Sequence, residues 1–109
     1  MRNKFIKYSL LLLIMLFASH AVQAEEVWID VRSVMEHKVD SIQGDVHIPH
    51  EQIVEKIKAV YPDKETEIRL YCRSGGRAGK ALSALQKAGY KDVKNMGGIE
   101  DARIKRNLK

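Results

Sequence analysis

From residue 25 onward, four short apolar runs alternate with four helix-like patterns, and this alternation limits the fold more than any other feature of the chain. Strands separated by helices pair in parallel, because each helix carries the chain back to the edge where the next strand starts. Residues 27–31 (Val-Trp-Ile-Asp-Val) read as a first strand, 45–48 as a second stopped by Pro49, 68–71 as a third and 93–96 as a fourth. After the first strand, Ser33 with Glu36 three residues later forms a capping box that opens a short helix. Residues 51–61 place Ile53, Val54, Ile57, Val60 and Tyr61 on one helical face, ended by Pro62 and Asp63. Residues 77–88 turn Ala81, Leu82, Leu85 and Ala88 inward and stop at Gly89. A last short helix follows Gly97 and Gly98, near residues 99–104. The expected fold is α/β, a small parallel sheet covered by helices on both faces. Ligands of such sheets bind beyond the carboxyl ends of the strands.

The first 24 residues have a different make-up. Arg2, Lys4 and Lys7 give a positive start, residues 8–18 are nearly all apolar, and Val22 and Ala24 are small residues at the positions a signal peptidase reads. This is the layout of a secretory signal peptide cleaved after Ala24, which predicts a mature protein in the periplasm with no stable membrane association. The apolar run breaks at Ser19 and His20, short of the roughly 20 residues that a spanning helix needs. Cleavage takes 24 of the 109 residues and leaves a domain of 85. It removes three basic residues and no acid, so the net charge falls from +5 to +2. The basic tail, Arg103, Lys105, Arg106 and Lys109, has no aromatic residues interleaved for base stacking. Nucleic acid is therefore not an expected partner.

Cys72 is the only cysteine. Small exported domains often rely on disulfides, and this one cannot form one internally. A lone thiol in an oxidising compartment is a liability that needs a use. Its setting supplies one. Cys72 ends the third strand, Gly75 and Gly76 let the backbone curl tightly, and a helix starts at Arg77 or Ala78. The free N–H groups and positive dipole at a helix start favour an anion. A thiolate is such an anion, and cysteines so placed beside arginine have pKa values of roughly 3.5–7.5. Arg73 and Arg77 add positive charge for an anionic substrate. Cys72 is thus the candidate nucleophile. The backbone running from Arg73 through Ser74, Gly75, Gly76 and Arg77 to Ala78 is the candidate substrate-binding cradle. An inert core cysteine on a plain tight turn is the competing reading.

The run Cys72-Arg73-Ser74-Gly75-Gly76-Arg77-Ala78 resembles the active-site loop of single-domain rhodaneses. Three other stretches resemble the family in order and spacing. Ile29-Asp30-Val31-Arg32 is similar to its first strand motif and Ile42-Gln43-Gly44-Asp45-Val46-His47-Ile48-Pro49 to its second. Tyr90 with Val93, Asn95, Met96, Gly97 and Gly98 is similar to its closing strand and turn. The resemblance covers nearly all of residues 25–109 and implies a rhodanese-like domain of the short periplasmic kind. It also implies a reaction. Cys72 attacks the outer sulfur of thiosulfate, releases sulfite and holds the sulfur as a persulfide. A thiophilic acceptor, cyanide or an unidentified protein, then takes the sulfur. No cofactor is implied. Many relatives have histidine where this chain has Ser41, alanine where it has Asp45, and asparagine where it has His47. Residues 102–104 stand where a tryptophan often follows the Gly-Gly turn. These departures read as structural.

Asp30, at a strand end, is expected to support the site by pairing with Arg77 or another loop donor. His47 and His50 lack a third ligand, so no metal is expected. The face with Glu51, Glu55, Lys56 and Lys58 reads as solvated surface. Two other functions compete. A phosphatase or arsenate reductase can share this fold and use a thiolate, but the cysteine phosphatases need Cys-x5-Arg. Here Arg77 gives Cys-x4-Arg, and Ala78 takes the position of the more distant arginine. The shorter ring suits one sulfur above the thiolate better than three equatorial oxygens. A non-catalytic binding module is the third reading, and the presence of Cys72 counts against it.

Overall fold

The computed structural model describes residues 26–109. The expected signal segment and its cleavage point lie outside the described residues. The elements run β1 (Glu26–Asp30), α1 (Val34–Val39), β2 (Val46–His47), a 3-10 turn (His50–Gln52) that leads into α2 (Ile53–Val60), β3 (Glu67–Cys72), α3 (Gly76–Lys87), β4 (Val93–Gly98) and α4 (Ile99–Lys105). The four strands form one sheet in the order β2-β1-β3-β4, and every pairing is parallel.

Strand alternation divides the side chains between two faces. Val27, Ile29, Ile68, Leu70 and Cys72 join one core with Ile53 and Ile57 of α2 and Ala78, Ala81 and Leu85 of α3. Trp28 and Tyr71 point the other way, to Ile42 and to Ile99 and Ala102 of α4. The sheet is thus covered on both faces, as the alternation implied. The larger core is built mainly from β-branched residues, which suit strands buried on both sides. Gly89 takes φ +98° just past α3, a left-handed position that only glycine adopts cheaply, and this ends the helix.

One expectation about a helix face changes. Val60, expected on one apolar face with Ile53 and Ile57, is 60% exposed, because α2 ends there and the chain turns away. The capping box of α1 is present, with Ser33 Oγ accepting from the Glu36 N–H and Glu36 accepting from the Ser33 N–H. Yet none of the six residues of α1 is buried, and the helix joins neither core, meeting the sheet through His37, which stacks on His47 of β2.

The departures from the usual pattern have structural partners. Asp45 accepts a hydrogen bond from the Tyr71 hydroxyl at 2.6 Å and a two-pronged pair from Arg106 at 2.9 and 2.6 Å. Arg106 also lies 4.0 Å over the ring of Trp28. Trp28 of β1 thus supplies the large aromatic group of this second face, where Ala102 is fully buried. His47 stacks on His37 with ring centres 4.1 Å apart, and its Nε2–H donates to the Arg32 carbonyl at 2.8 Å. His50 lies 2.9 Å from Glu51.

Candidate active site

The order of the sheet sets the position of the site. β3 is a central strand, flanked by β1 and β4, and Cys72 is its last residue. The chain leaves β3 at the carboxyl edge of the sheet, rounds a short loop and enters α3 at Gly76. Gly75 caps that helix at φ +102°, a conformation that a residue with a Cβ rarely adopts. The loop backbone therefore bends sharply enough to bring its N–H groups over the sulfur. The Gly75 N–H donates to Cys72 Sγ at 2.9 Å, and those of Ser74, Arg77 and Ala78 also act on it. Burial alone would push the Cys72 thiol up, since only 1% of the residue is exposed. The surrounding N–H groups outweigh burial and bring the thiol below its ordinary value. No side-chain base is needed for this, because the backbone supplies the stabilisation.

β4 closes the site from the other side. Between the pairs Leu70–Asn95 and Cys72–Gly98, β3 advances by two residues and β4 by three. The extra residue is a bulge at Met96-Gly97, with Gly97 at φ +91°. It re-aims the end of β4 so that Asn95 faces the loop. The Asn95 side-chain amide donates to the Gly75 carbonyl at 2.9 Å, and its oxygen accepts from the Gly97 N–H at 2.9 Å. Gly98 lies against the loop backbone, and a Cβ there would collide with the carbonyl oxygen of Arg73. Backbone meets backbone at that point, so no side chain can move aside. Gly98→Ala is expected to cost about 3 kcal/mol through overpacking and to loosen the cradle. Denaturant unfolding and the alkylation rate of Cys72 measure the two effects, and an unchanged midpoint would remove the argument.

The supporting ion pairs differ from the expected ones. Asp30 does not pair with Arg77. Its carboxylate is fully buried and is taken by Arg32, two residues along the same turn. The Arg32 backbone N–H and Nε donate to Oδ1 at 2.9 Å, and the guanidinium reaches Oδ2 at 2.7 Å. His37 Nδ1 lies 3.1 Å from the same oxygen. Burial opposes the charge on Asp30, but the Arg32 and His37 contacts together hold its carboxyl below the usual range. The short reach of Arg32 leaves no place for a loop arginine. Arg77 meets Glu36 instead, in a two-pronged pair at 2.5 and 2.9 Å. That pair holds the Glu36 carboxyl well below the usual carboxylate range, helped by the Ser33 cap and opposed by burial. Glu36 thus caps α1 and ties it to the loop. Glu36→Gln keeps the size and one hydrogen bond but loses the charge. In this partly exposed setting the expected loss is about 1 kcal/mol of stability, read as a lower denaturant midpoint.

Of the six loop residues, Arg73 is exposed and has no acidic partner among the described residues, whereas Arg77 is committed to Glu36. Glu36, Asn95, Gly98 and His37 join the site although sequence reasoning gave them no role there. The capping box did mark Glu36, but its second use depends on how α1 lies against the loop.

A thiol at the carboxyl end of a central parallel strand, ringed by the N–H groups at a helix start, defines a cysteine-bearing α/β protein suited to holding an anion. The chain belongs to the rhodanese-like domain family, whose match spans residues 16–104. It is 38% identical over 95 residues to the thiosulfate sulfurtransferase PspE of Escherichia coli strain K12, covering 87% of this chain and 90% of that protein. Among solved structures it is similar to an E. coli rhodanese with anions, at 36% identity and a TM-score of 0.67, over 71% of this chain and 91% of the other. The human single-domain sulfurtransferase TSTD1 is 25% identical, with a TM-score of 0.62, over 85% and 90% of the two chains.

Proposed function

We propose that the protein is a thiosulfate sulfurtransferase in which Cys72 carries the sulfur. The observation that supports this most is the Cys72 sulfur set in a ring of loop N–H groups that favour its anion. In the first step the thiolate attacks the outer sulfur of thiosulfate. The sulfur–sulfur bond of the donor breaks and its electron pair leaves with sulfite. Two negative charges arrive with thiosulfate and two leave with sulfite, so the persulfide keeps the single charge of the thiolate. The cradle therefore holds an anion throughout, and its N–H groups need not reorganise. In the second step a thiophilic acceptor such as cyanide attacks the outer sulfur, and the electron pair of the breaking bond returns to Sγ. Exposed Arg73 attracts the doubly charged donor, and Arg77, fixed by Glu36, holds the loop in shape. We further propose that the mature chain starts at Glu25 and works in the periplasm, on the strength of residues 1–24.

The similarity to PspE supports the choice of thiosulfate, and the loop length supports sulfur over phosphorus. The position that a longer oxyanion loop would fill with arginine is Ala78, which is fully buried in α3. Intact mass after incubation with thiosulfate is expected to rise by one sulfur atom, and cyanide should reverse the gain with release of thiocyanate. Aryl phosphates should not be hydrolysed. A protein that hydrolysed aryl phosphates faster than it formed thiocyanate would belong to the phosphatase reading, and one that did neither to the binding-module reading.

A further inference from the structure

We infer that α1 and the cleft beside it form a docking face for an acceptor protein, one that presents a cysteine flanked by apolar side chains and a carboxylate. This rests on the sulfurtransferase reading and specifies its second step. α1 contributes nothing to either core, and its apolar residues face outward: Val34 is 55% exposed, Met35 69% and Val39 81%. Met35 and Val39 line a cleft of about 540 Å³ together with Ile99, and Arg73 of the thiol loop stands in the same lining. The apolar wall and the sulfur-bearing loop thus share one opening.

Charge points to the kind of partner. Arg32 in the cleft is matched by Asp30, and Glu36 by Arg77. Asp40 and Glu100 share Arg103. Arg73 is the one cation of this lining with no counter-ion among the described residues. A carboxylate on the partner completes it. The apolar surface is also wider than a small thiol covers, because Val34 lies outside the cleft on the same helix. Exposed apolar surface that rims a reactive group fits a protein partner better than a free metabolite. The chemistry then balances without an oxidant. The acceptor thiolate attacks the outer sulfur of the Cys72 persulfide, the Sγ–S bond breaks, and its electron pair stays on Sγ. The acceptor leaves as a persulfide and Cys72 returns as a thiolate.

The test compares acceptors on protein preloaded with thiosulfate. One is a synthetic peptide with leucines on both sides of a cysteine and glutamates beyond them. A second has serines for the leucines, a third is dithiothreitol, and the fourth is cyanide. The leucine peptide is expected to take sulfur at least tenfold faster than the serine peptide. In a Met35→Ser, Val39→Ser variant, whose changes lie on exposed positions and add no charge beside Arg73, transfer to the leucine peptide should fall at least tenfold while thiocyanate formation stays within twofold. Equal rates for the two peptides, or an unchanged leucine peptide rate in the variant, would overturn the docking face. So would a dithiothreitol rate that exceeds the leucine peptide's and falls equally in the variant, since that marks a small-thiol site. A wild-type dimer that the variant turns into a monomer would assign the face to a second copy instead. Absence of thiocyanate from the wild type would instead count against the sulfurtransferase reading itself.

Discussion

Cys72→Ser protein is expected to fold as the parent does and to form no thiocyanate above background, a loss on the order of a thousandfold or more. Serine takes the same place at the end of β3, and its oxygen can still accept from the Gly75 N–H. The fold therefore loses little. The chemistry loses its basis, because the cradle shifts a thiol but leaves a hydroxyl far from ionising at neutral pH, and oxygen holds no transferable sulfur. Circular dichroism and the unfolding midpoint test the first half. Thiocyanate release and intact mass after thiosulfate test the second. Activity retained in this variant would place the sulfur carrier elsewhere.

Asp30→Ala is expected to give a large loss of stability. The carboxylate is fully buried and Arg32 is 5% exposed, so the substitution leaves a buried guanidinium without its charge partner. Breaking such a pair costs about 3–5 kcal/mol. For a domain of this size that lowers the melting temperature by roughly 12 °C or more. Asp30→Asn keeps the volume and some hydrogen bonds and should lose less. The effect depends on pH in a definite direction. The folded carboxyl sits below its ordinary value, so it stabilises the fold above about pH 4, its unfolded range. That contribution disappears as pH falls through the lower folded value. The gap between parent and Asp30→Ala should thus narrow as pH falls below about 4. A gap of under 1 kcal/mol at neutral pH would show that Arg32 finds another counter-charge.

The strands were legible because their apolar runs are short and bounded by Pro49, Pro62-Asp63 and Gly89, and each end lies within one residue of its expected limit apart from the two-residue extension of β4. The sulfur-bearing loop was legible because it is local: Cys72, two glycines and a helix start all fall within seven residues. What failed was the choice of ion-pair partners, one of them local, Arg32 for Asp30, and one distant, Glu36 for Arg77. Nothing in the spacing of Asp30 and Arg77 reveals that Arg32 is nearer to the first and Glu36 to the second. Pairing along a strand end is decided by which side chain has the shorter reach, and that depends on the angle at which α1 leaves β1. The bulge in β4 was hidden for a related reason. Met96-Gly97-Gly98 reads as a turn, and only the register against β3 shows that the strand continues through it.

That same bulge has a bearing on self-association. A sheet with open sides exposes rows of unpaired N–H and C=O groups, and a second chain can add to them when the protein is concentrated. Here β2 is only two residues long, too short to template another strand. β4 is longer, but Lys94 stands exposed on it, Asn95 folds back onto the loop, and the bulge at Gly97 twists the remaining length away. Neither side offers a flat run of free backbone. Two adjustments at the border, one of length and one of curvature, thus guard a small parallel sheet against growing into an aggregate.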